Sequence, residues 1–236
     1  MTNLSVNINK IATIRNSRGK NIPNVINSAL DCQRFGADGI TVHPRPDERH
    51  ITRKDVYDLS KVLTKEFNIE GYPSDDFIQL ILDVLPDQVT LVPDPPEVIT
   101  SCSGWDTIKY KDFLTETIKV FKDKGIRTSI FVNPDTEIIK SAKFCGADRI
   151  ELYTEYYSEN YFSNKRKAIL PYIKSAQIAS NLDLGINAGH DLNLSNLEFF
   201  ASNIINLQEV SIGHALISDA IYLGLENTIQ MYKRLL

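Results

Sequence analysis

The chain has 236 residues, 42% of them apolar, and its 26 basic and 30 acidic side chains leave a net charge of −4. That apolar share supports a sizeable core, the charge lacks the basic excess of a dedicated nucleic-acid binder, and no apolar run approaches the roughly 18–20 residues of a membrane span. Cys32, Cys102 and Cys145 are odd in number and far apart, which fits neither a disulfide framework nor a metal-binding pair; with no cationic-then-apolar leader, a reducing, cytoplasmic setting is expected.

The first strand is predicted over Ser5–Asn9, and a helix-period segment, Val25–Phe35, leads to a second strand at Gly39–His43. Helix Asp55–Lys65 precedes strand Phe67–Glu70, and helix Asp75–Leu85 precedes strand Gln88–Val92. Helix Phe113–Lys124 then leads to strand Thr128–Val132, and helix Thr136–Phe144 to strand Arg149–Tyr153. Helix Ala168–Asn181, strand Leu184–Asn187, helix Leu194–Ile204, strand Glu209–Ile212 and a last helix, Ala215–Leu236, complete the series. Gly36, Gly125 and Gly146 close helices as C-cap signals. Successive strands start about 29 residues apart, the size of one strand–helix unit.

Eight such units predict an α/β fold: a (β/α)8 barrel (a TIM barrel) with extra loop and helix insertions, as a single catalytic domain over 1–236. An open doubly wound sheet is the rival. It calls for a glycine-rich fingerprint after its first strand, where this chain reads Lys10-Ile11-Ala12-Thr13. Two connections are long: Pro93–Lys111, with Pro95, Pro96 and Trp105, and Thr154–Lys167, with Tyr156, Tyr157 and Tyr161. They read as lids, subunit contacts or plain surface excursions.

A barrel enzyme carries its chemistry at the C-terminal ends of its strands. His43, His190 and His214 fall within two residues of predicted strand ends, and His50 lies in the loop after one. One histidine there is commonly a hydrogen-bonded structural residue. Four together point to proton exchange near neutral pH. Glu70 is the candidate general base, its alternative being a salt bridge to an arginine. Glu151 faces either the lumen or the surroundings of Arg149. Lys10, Arg15, Arg18 and Lys20 form one basic cluster, and Arg45, Arg49, Arg53 and Lys54 a second. Arginine forks suit phosphate oxygens, and Gly189-His190-Asp191 and Gly213-His214-Ala215 each enter a helix whose free N–H groups can hold an anion. Phosphorylated substrates follow, with solvated loop charges as the alternative.

Several ordered blocks resemble the pyridoxine 5′-phosphate synthase family. They are Val6-Asn7-Ile8 with Ile11 through Gly19, Gly36 through His43, Arg45, Arg49-His50-Ile51, Asn68-Ile69-Glu70, Leu91-Val92-Pro93, Asn187 through His190, and Ile212 through Ala215. The resemblance implies closure of the vitamin B6 pyridine ring from 3-amino-2-oxopropyl phosphate and 1-deoxy-D-xylulose 5-phosphate, releasing inorganic phosphate and water. It implies His43 and Glu70 as proton acceptors, His190 as proton donor and Glu151 as stabiliser of a charged intermediate. Asn7, Arg18, Asp191, Gly213 and His214 would hold the aminoketone phosphate, and Arg45, His50 and Thr100 the deoxyxylulose phosphate. It further implies no metal or organic cofactor, and a homo-octamer. One departure stands out: the family commonly has Asp-His after Val-Asn-Ile, and this chain has Asn9-Lys10. Lys10 is expected to meet deoxyxylulose phosphate as a mobile point charge, and Asn9 to hydrogen-bond the sugar hydroxyls.

Three rivals remain. A metal-dependent hydrolase or isomerase could use the histidines and glutamates, although Asn7-x-Asn9 replaces a His-x-His pair and no HExxH occurs. A Schiff-base aldolase would need Lys10. A phosphate-ester-binding regulator would keep the fold without the chemistry.

Overall fold

Apolar and polar side chains alternate along each strand, and that alternation builds the molecule. The computed structural model describes residues 2–93 and 103–236. Its strands are β1 (Asn3–Asn7), β2 (Gly39–Val42), β3 (Glu66–Gly71), β4 (Gln88–Leu91), β5 (Arg127–Val132), β6 (Arg149–Tyr153), β7 (Gly185–Gly189) and β8 (Leu207–Ile212). All pair in parallel in sequence order, and β1 pairs with β8 to close the barrel. Closure rules out the doubly wound alternative. Helices α1 (Asn9–Asn16) and α2 (Val25–Arg34) follow β1; α3 (Arg53–Ser60), α4 (Asp75–Val84), α5 (Lys111–Lys122), α6 (Thr136–Phe144), α7 (Glu155–Asn181) and α8 (Leu197–Asn203) follow β2 to β7 in turn. The pair α9 (His214–Leu223) and α10 (Leu225–Lys233) follows β8. No helix among the described residues is long and apolar enough to cross a membrane.

The hydrophobic core lies between the sheet and the helices. Leu4, Val6, Ile40, Val42, Ile69, Leu91, Ile130, Leu152, Ile186 and Ile212 are fully buried in one cluster with helix residues such as Ala29, Leu59, Leu80, Ile118 and Ile139. Full burial of each such aliphatic side chain stabilises by about 1.5–3 kcal/mol. The lumen is the opposite case. Ser5 and Thr41 share a 2.7 Å hydrogen bond, Asn68 donates to Thr41 at 3.3 Å, and Thr90 donates to Asn68 at 3.1 Å. Bulky branched residues fill this space in an ordinary barrel; polar side chains, several of them hydrogen-bonded to one another, fill it here.

Several helices begin on the caps their sequences announce. Thr52 and Asp55 form a capping box on α3, Ser74 caps α4, and the Asp135 carboxylate accepts from the Glu137 and Ile138 N–H groups to cap α6. Four predictions needed correction. Strand 1 ends at Asn7 because Asn9 and Lys10 already belong to α1, an eight-residue helix with no side-chain N-cap. The supposed loop Thr154–Lys167 is the first half of α7, kinked at Asn164. Tyr157 packs into the core, meeting Tyr172 and Phe200 edge-on at 5.9 and 5.1 Å, whereas Tyr156 is exposed. Gly224, at φ 78°, splits the last predicted helix into α9 and α10, a backbone angle that glycine adopts without cost. The helix predicted over Leu194–Ile204 is confined to α8. Of the other long connection, Pro95, Pro96, Thr100 and Cys102 lie outside the described residues. Trp105 is buried, stacks on Tyr72 at 5.8 Å and donates its backbone N–H to the Phe131 carbonyl at 2.8 Å.

Candidate active site

At the C-terminal ends of the strands a cavity of about 520 Å³ is lined by Asn7, Asn9, Lys10, His43, Arg45, His50, Glu70, Glu151, His190, Asp191, Gly213 and His214. Val92, Phe131, Ser158, Asn193, Ser211 and Ala215 complete the lining.

The first side of the cavity is a ring of polar side chains across β1, β2 and β3, hydrogen-bonded except at its closing contact. Asn7 donates from Nδ2 to Glu70 Oε2 at 3.4 Å and accepts the Asn9 N–H at 3.0 Å. Asn9 accepts the His43 N–H at 2.9 Å. The ring closes where His43 Nδ1 stands 3.9 Å from Glu70 Oε2. Asn9 thus spends its side-chain oxygen on the backbone of His43, a different task from the sugar contact expected of it.

Beside this ring lies a cationic corner. Burial first, then Arg45, His50 and Arg49, hold the His43 imidazole well below its ordinary pKa. His50 is pushed down to about 4 by burial, Arg45, Lys10 and Arg49. Its Nδ1 accepts the Ile51 N–H at 2.9 Å, so the neutral ring carries its proton on Nε2. Lys10 is exposed at the cavity edge.

The opposite side behaves in the reverse sense. Burial opposes a charge on His190, yet the Asp191 carboxylate, 2.9 Å from Nδ1, together with Glu151 and Glu155, raises its pKa above the ordinary value. Tyr153 meets the His190 ring edge-on at 5.4 Å. Glu151 faces the lumen, is 3% exposed, and is held well above the usual carboxylate range by burial and by the Glu70 charge. Its Oε2 has no hydrogen-bond partner among the described residues.

The third feature is the start of α9, where Gly213, His214 and Ala215 line the cavity and no side chain caps the helix. Its first N–H groups are donors without helical partners. A Cβ on Gly213 would come within 3.1 Å of Asn7 Cβ, so a side chain there would crowd the Asn7–Glu70 bond.

The two basic clusters are largely spent on structure. Arg15 directs its fork at Asp55, at 2.5 and 2.8 Å, and not at the cavity. Arg49 pairs with Asp47 at 2.7 Å, and Lys54 pairs with Asp58. Arg18 lies on the exposed turn after α1 and does not line the cavity; Thr100 lies outside the described residues. Five lining residues, Val92, Phe131, Ser158, Asn193 and Ser211, had no site role in the sequence reading. Val92, Phe131 and Ser211 were discoverable from the two-residue period, since each sits on the lumen-facing set of its strand. Ser158 was hidden by reading its helix as a loop. Among the described residues no group of three His, Cys, Asp or Glu side chains is arranged to hold a metal ion.

Known proteins resemble this chain along its whole length. A pyridoxine 5′-phosphate synthase from Bacteroides fragilis is 63% identical over 236 residues, covering all of both chains. One of the same name from Cytophaga hutchinsonii is 62% identical over 234 residues, 99% of this chain and 98% of its own. A solved 3-keto-L-gulonate-6-phosphate decarboxylase from Vibrio cholerae superposes with a TM-score of 0.66 at 9% identity, over 99% of this chain and 96% of that one, a likeness of fold alone. The family described as pyridoxal phosphate biosynthesis protein PdxJ matches residues 4–236. This chain belongs to the PdxJ family.

Proposed function

We propose that the chain closes the pyridine ring of pyridoxine 5′-phosphate, condensing 3-amino-2-oxopropyl phosphate with 1-deoxy-D-xylulose 5-phosphate and releasing inorganic phosphate and water. The observation that carries the reading is a pair of histidines on one cavity, biased in opposite directions: the His43 pKa is lowered by burial and nearby cations, and, against burial, the His190 pKa is raised by Asp191, Glu151 and Glu155. Titratable groups pushed apart in this way mark a base and an acid. Joining an amine to a ketone and expelling hydroxyl groups needs both, because protons must leave nitrogen and carbon while others reach departing oxygens.

In this reading His43 and Glu70 accept protons and His190 delivers one. Glu151, buried on the lumen wall, stabilises the positive charge that develops on the substrate nitrogen of the intermediate. Asn7, Asp191, Gly213 and His214 hold the aminoketone phosphate. Arg45, His50 and Lys10 hold the ketose phosphate. These steps are additions and proton transfers that side chains can carry without a metal or organic cofactor. The resemblance extends the proposal to a homo-octamer in the cytoplasm, and sedimentation of the purified protein tests the assembly.

The direct test is incubation of the purified protein with both phosphates, following pyridoxine phosphate absorbance and free inorganic phosphate. Both should appear in step, and product formation should be insensitive to chelators. Glu70→Gln keeps the shape and removes the base, so turnover should fall about 10²–10⁴-fold while both substrates still bind. No pyridoxine phosphate from the intact protein would overturn the reading.

A further inference from the structure

The lumen is polar at nearly every level, and one patch breaks the pattern. Val92, Phe131 and Tyr153, beyond or within β4, β5 and β6, form an apolar cluster separate from the main core. Val92 and Phe131 are each 3% exposed and line the cavity, and Tyr153 packs against Phe131 with ring centroids 5.2 Å apart. Apart from Ala215 at the start of α9, Val92 and Phe131 are the apolar side chains of the lining.

The two substrates have a matching asymmetry. Every carbon of 3-amino-2-oxopropyl phosphate carries nitrogen or oxygen. In 1-deoxy-D-xylulose 5-phosphate one carbon carries neither: the C1 methyl, at the end remote from the C5 phosphate. In the closed strand order, β4–β6 lie across the barrel from β8–β2, where Arg45, His50 and the start of α9 offer cations and free N–H groups. A ketose held by its phosphate at the β2 rim and extended across the cavity brings C1 to the apolar wall. Burying a methyl there is favourable. A C1 hydroxyl would lose its water against two side chains that carry no hydrogen-bonding atom.

We propose that Val92 and Phe131, backed by Tyr153, form the subsite for the C1 methyl of deoxyxylulose phosphate and select a 1-deoxy ketose over its 1-hydroxy counterpart. The inference rests on the proposed reaction and adds its specificity determinant. An apolar pocket rejects an added hydroxyl by about 10²-fold at most, so a preference of one to two powers of ten is expected.

The test is calorimetric binding of 1-deoxy-D-xylulose 5-phosphate and of D-xylulose 5-phosphate to the intact protein, to Val92→Thr and to Phe131→Tyr. Val92→Thr exchanges a methyl for a hydroxyl on the same branched skeleton, and the second variant keeps the question answerable if the first fails to fold. In a folded variant the wild-type preference should narrow about fivefold or more, with affinity for the aminoketone phosphate within about twofold of wild type. A ratio unchanged in both folded variants, or equal losses for all three phosphates, overturns the subsite. A wild type that makes pyridoxine phosphate yet binds both ketoses alike also overturns it and leaves the reaction standing. A wild type that binds no ketose phosphate sinks the reaction itself.

Discussion

His190 sits at φ 72°, a left-handed backbone that costs a side-chain-bearing residue about 1–3 kcal/mol. Its surroundings fix it there: the His190 N–H reaches the Ser211 carbonyl at 3.4 Å, and the Asp191 N–H reaches Thr154 Oγ1 at 3.2 Å. The turn aims the imidazole into the cavity with Asp191 beside it. The residue pattern alone offered His43 and His190 as candidate proton exchangers, and only the family resemblance said which would give and which would take. The opposite biases come from neighbours, arginines for one and a carboxylate for the other, which only the fold assembles. They have a measurable consequence. His190, with its pKa raised, holds its proton to higher pH than an ordinary imidazole, and His43, with its pKa lowered, stays neutral to lower pH, so activity should span the interval between. Asp191→Asn removes the largest influence that opposes burial. The alkaline limb of the kcat–pH profile should then move to lower pH, with the acid limb in place. An unmoved alkaline limb would remove His190 as the acid.

At the scale of elements, α1 shows what local pattern cannot supply. Eight residues are too few for a helix to stand alone, and this one buries little beyond Ala12. Long-range contacts hold it. Besides its two bonds to Asp55, Arg15 donates to the His50 carbonyl at 3.1 Å, and Asn16 donates to the same carbonyl at 2.8 Å. The helix end therefore anchors the loop that presents His50. A guanidinium fork meets phosphate and carboxylate with the same geometry, and Asp55, 40 residues away in sequence, gave no local hint of which it would find. The strands and most helices were legible because their periodicity is local. Arg15→Ala strands a carboxylate whose side chain is 12% exposed, at a cost of about 3 kcal/mol, or roughly 6–12 °C in melting temperature for a chain of this size. Although burial works to raise the Asp55 pKa, Arg15 and Thr52 together hold it below the ordinary value. The pair's contribution is therefore present above the unfolded carboxylate pKa and lost as pH falls through the folded one. Melting curves should show the gap between wild type and variant closing toward acid pH, and the KM for deoxyxylulose phosphate should rise as the His50 loop loosens. A gap equally wide in acid would mean that Arg15 acts by packing alone.

Across the whole barrel, the polar lumen ends below the cavity in a charged layer that no single strand reveals. Arg149 Nη1 lies 3.9 Å from Glu66 Oε1 and 3.7 Å from Glu209 Oε2, and donates to Asn187 Oδ1 at 3.2 Å. Arg127 binds Glu66 directly and donates to Gln88 at 2.8 Å. Two carboxyls face two guanidiniums, yet the layer does not treat the carboxyls alike. Burial and the Glu66 charge hold the Glu209 pKa well above the usual range, whereas Glu66, though burial opposes it, is held low by its contacts with Glu209, Arg127 and Arg149. Glu209 Oε1 is buried with no hydrogen-bond partner among the described residues. The two glutamates should consequently respond differently to the same substitution. Glu209→Gln removes a carboxyl whose charge burial disfavours and should stay within about 1 kcal/mol of wild type at pH 7. Glu66→Gln removes the charge facing both arginines and should cost about 3 kcal/mol or more. The pH dependence separates them further. A carboxyl whose folded pKa is raised binds its proton more tightly in the folded state, so its contribution to stability declines as pH climbs from the unfolded value toward the folded one. Glu209→Gln lacks that decline, and its melting temperature should gain on wild type as pH is raised above the usual carboxylate range. Equal destabilisation by the two substitutions would mean that both carboxyls act as ionised partners of the arginines.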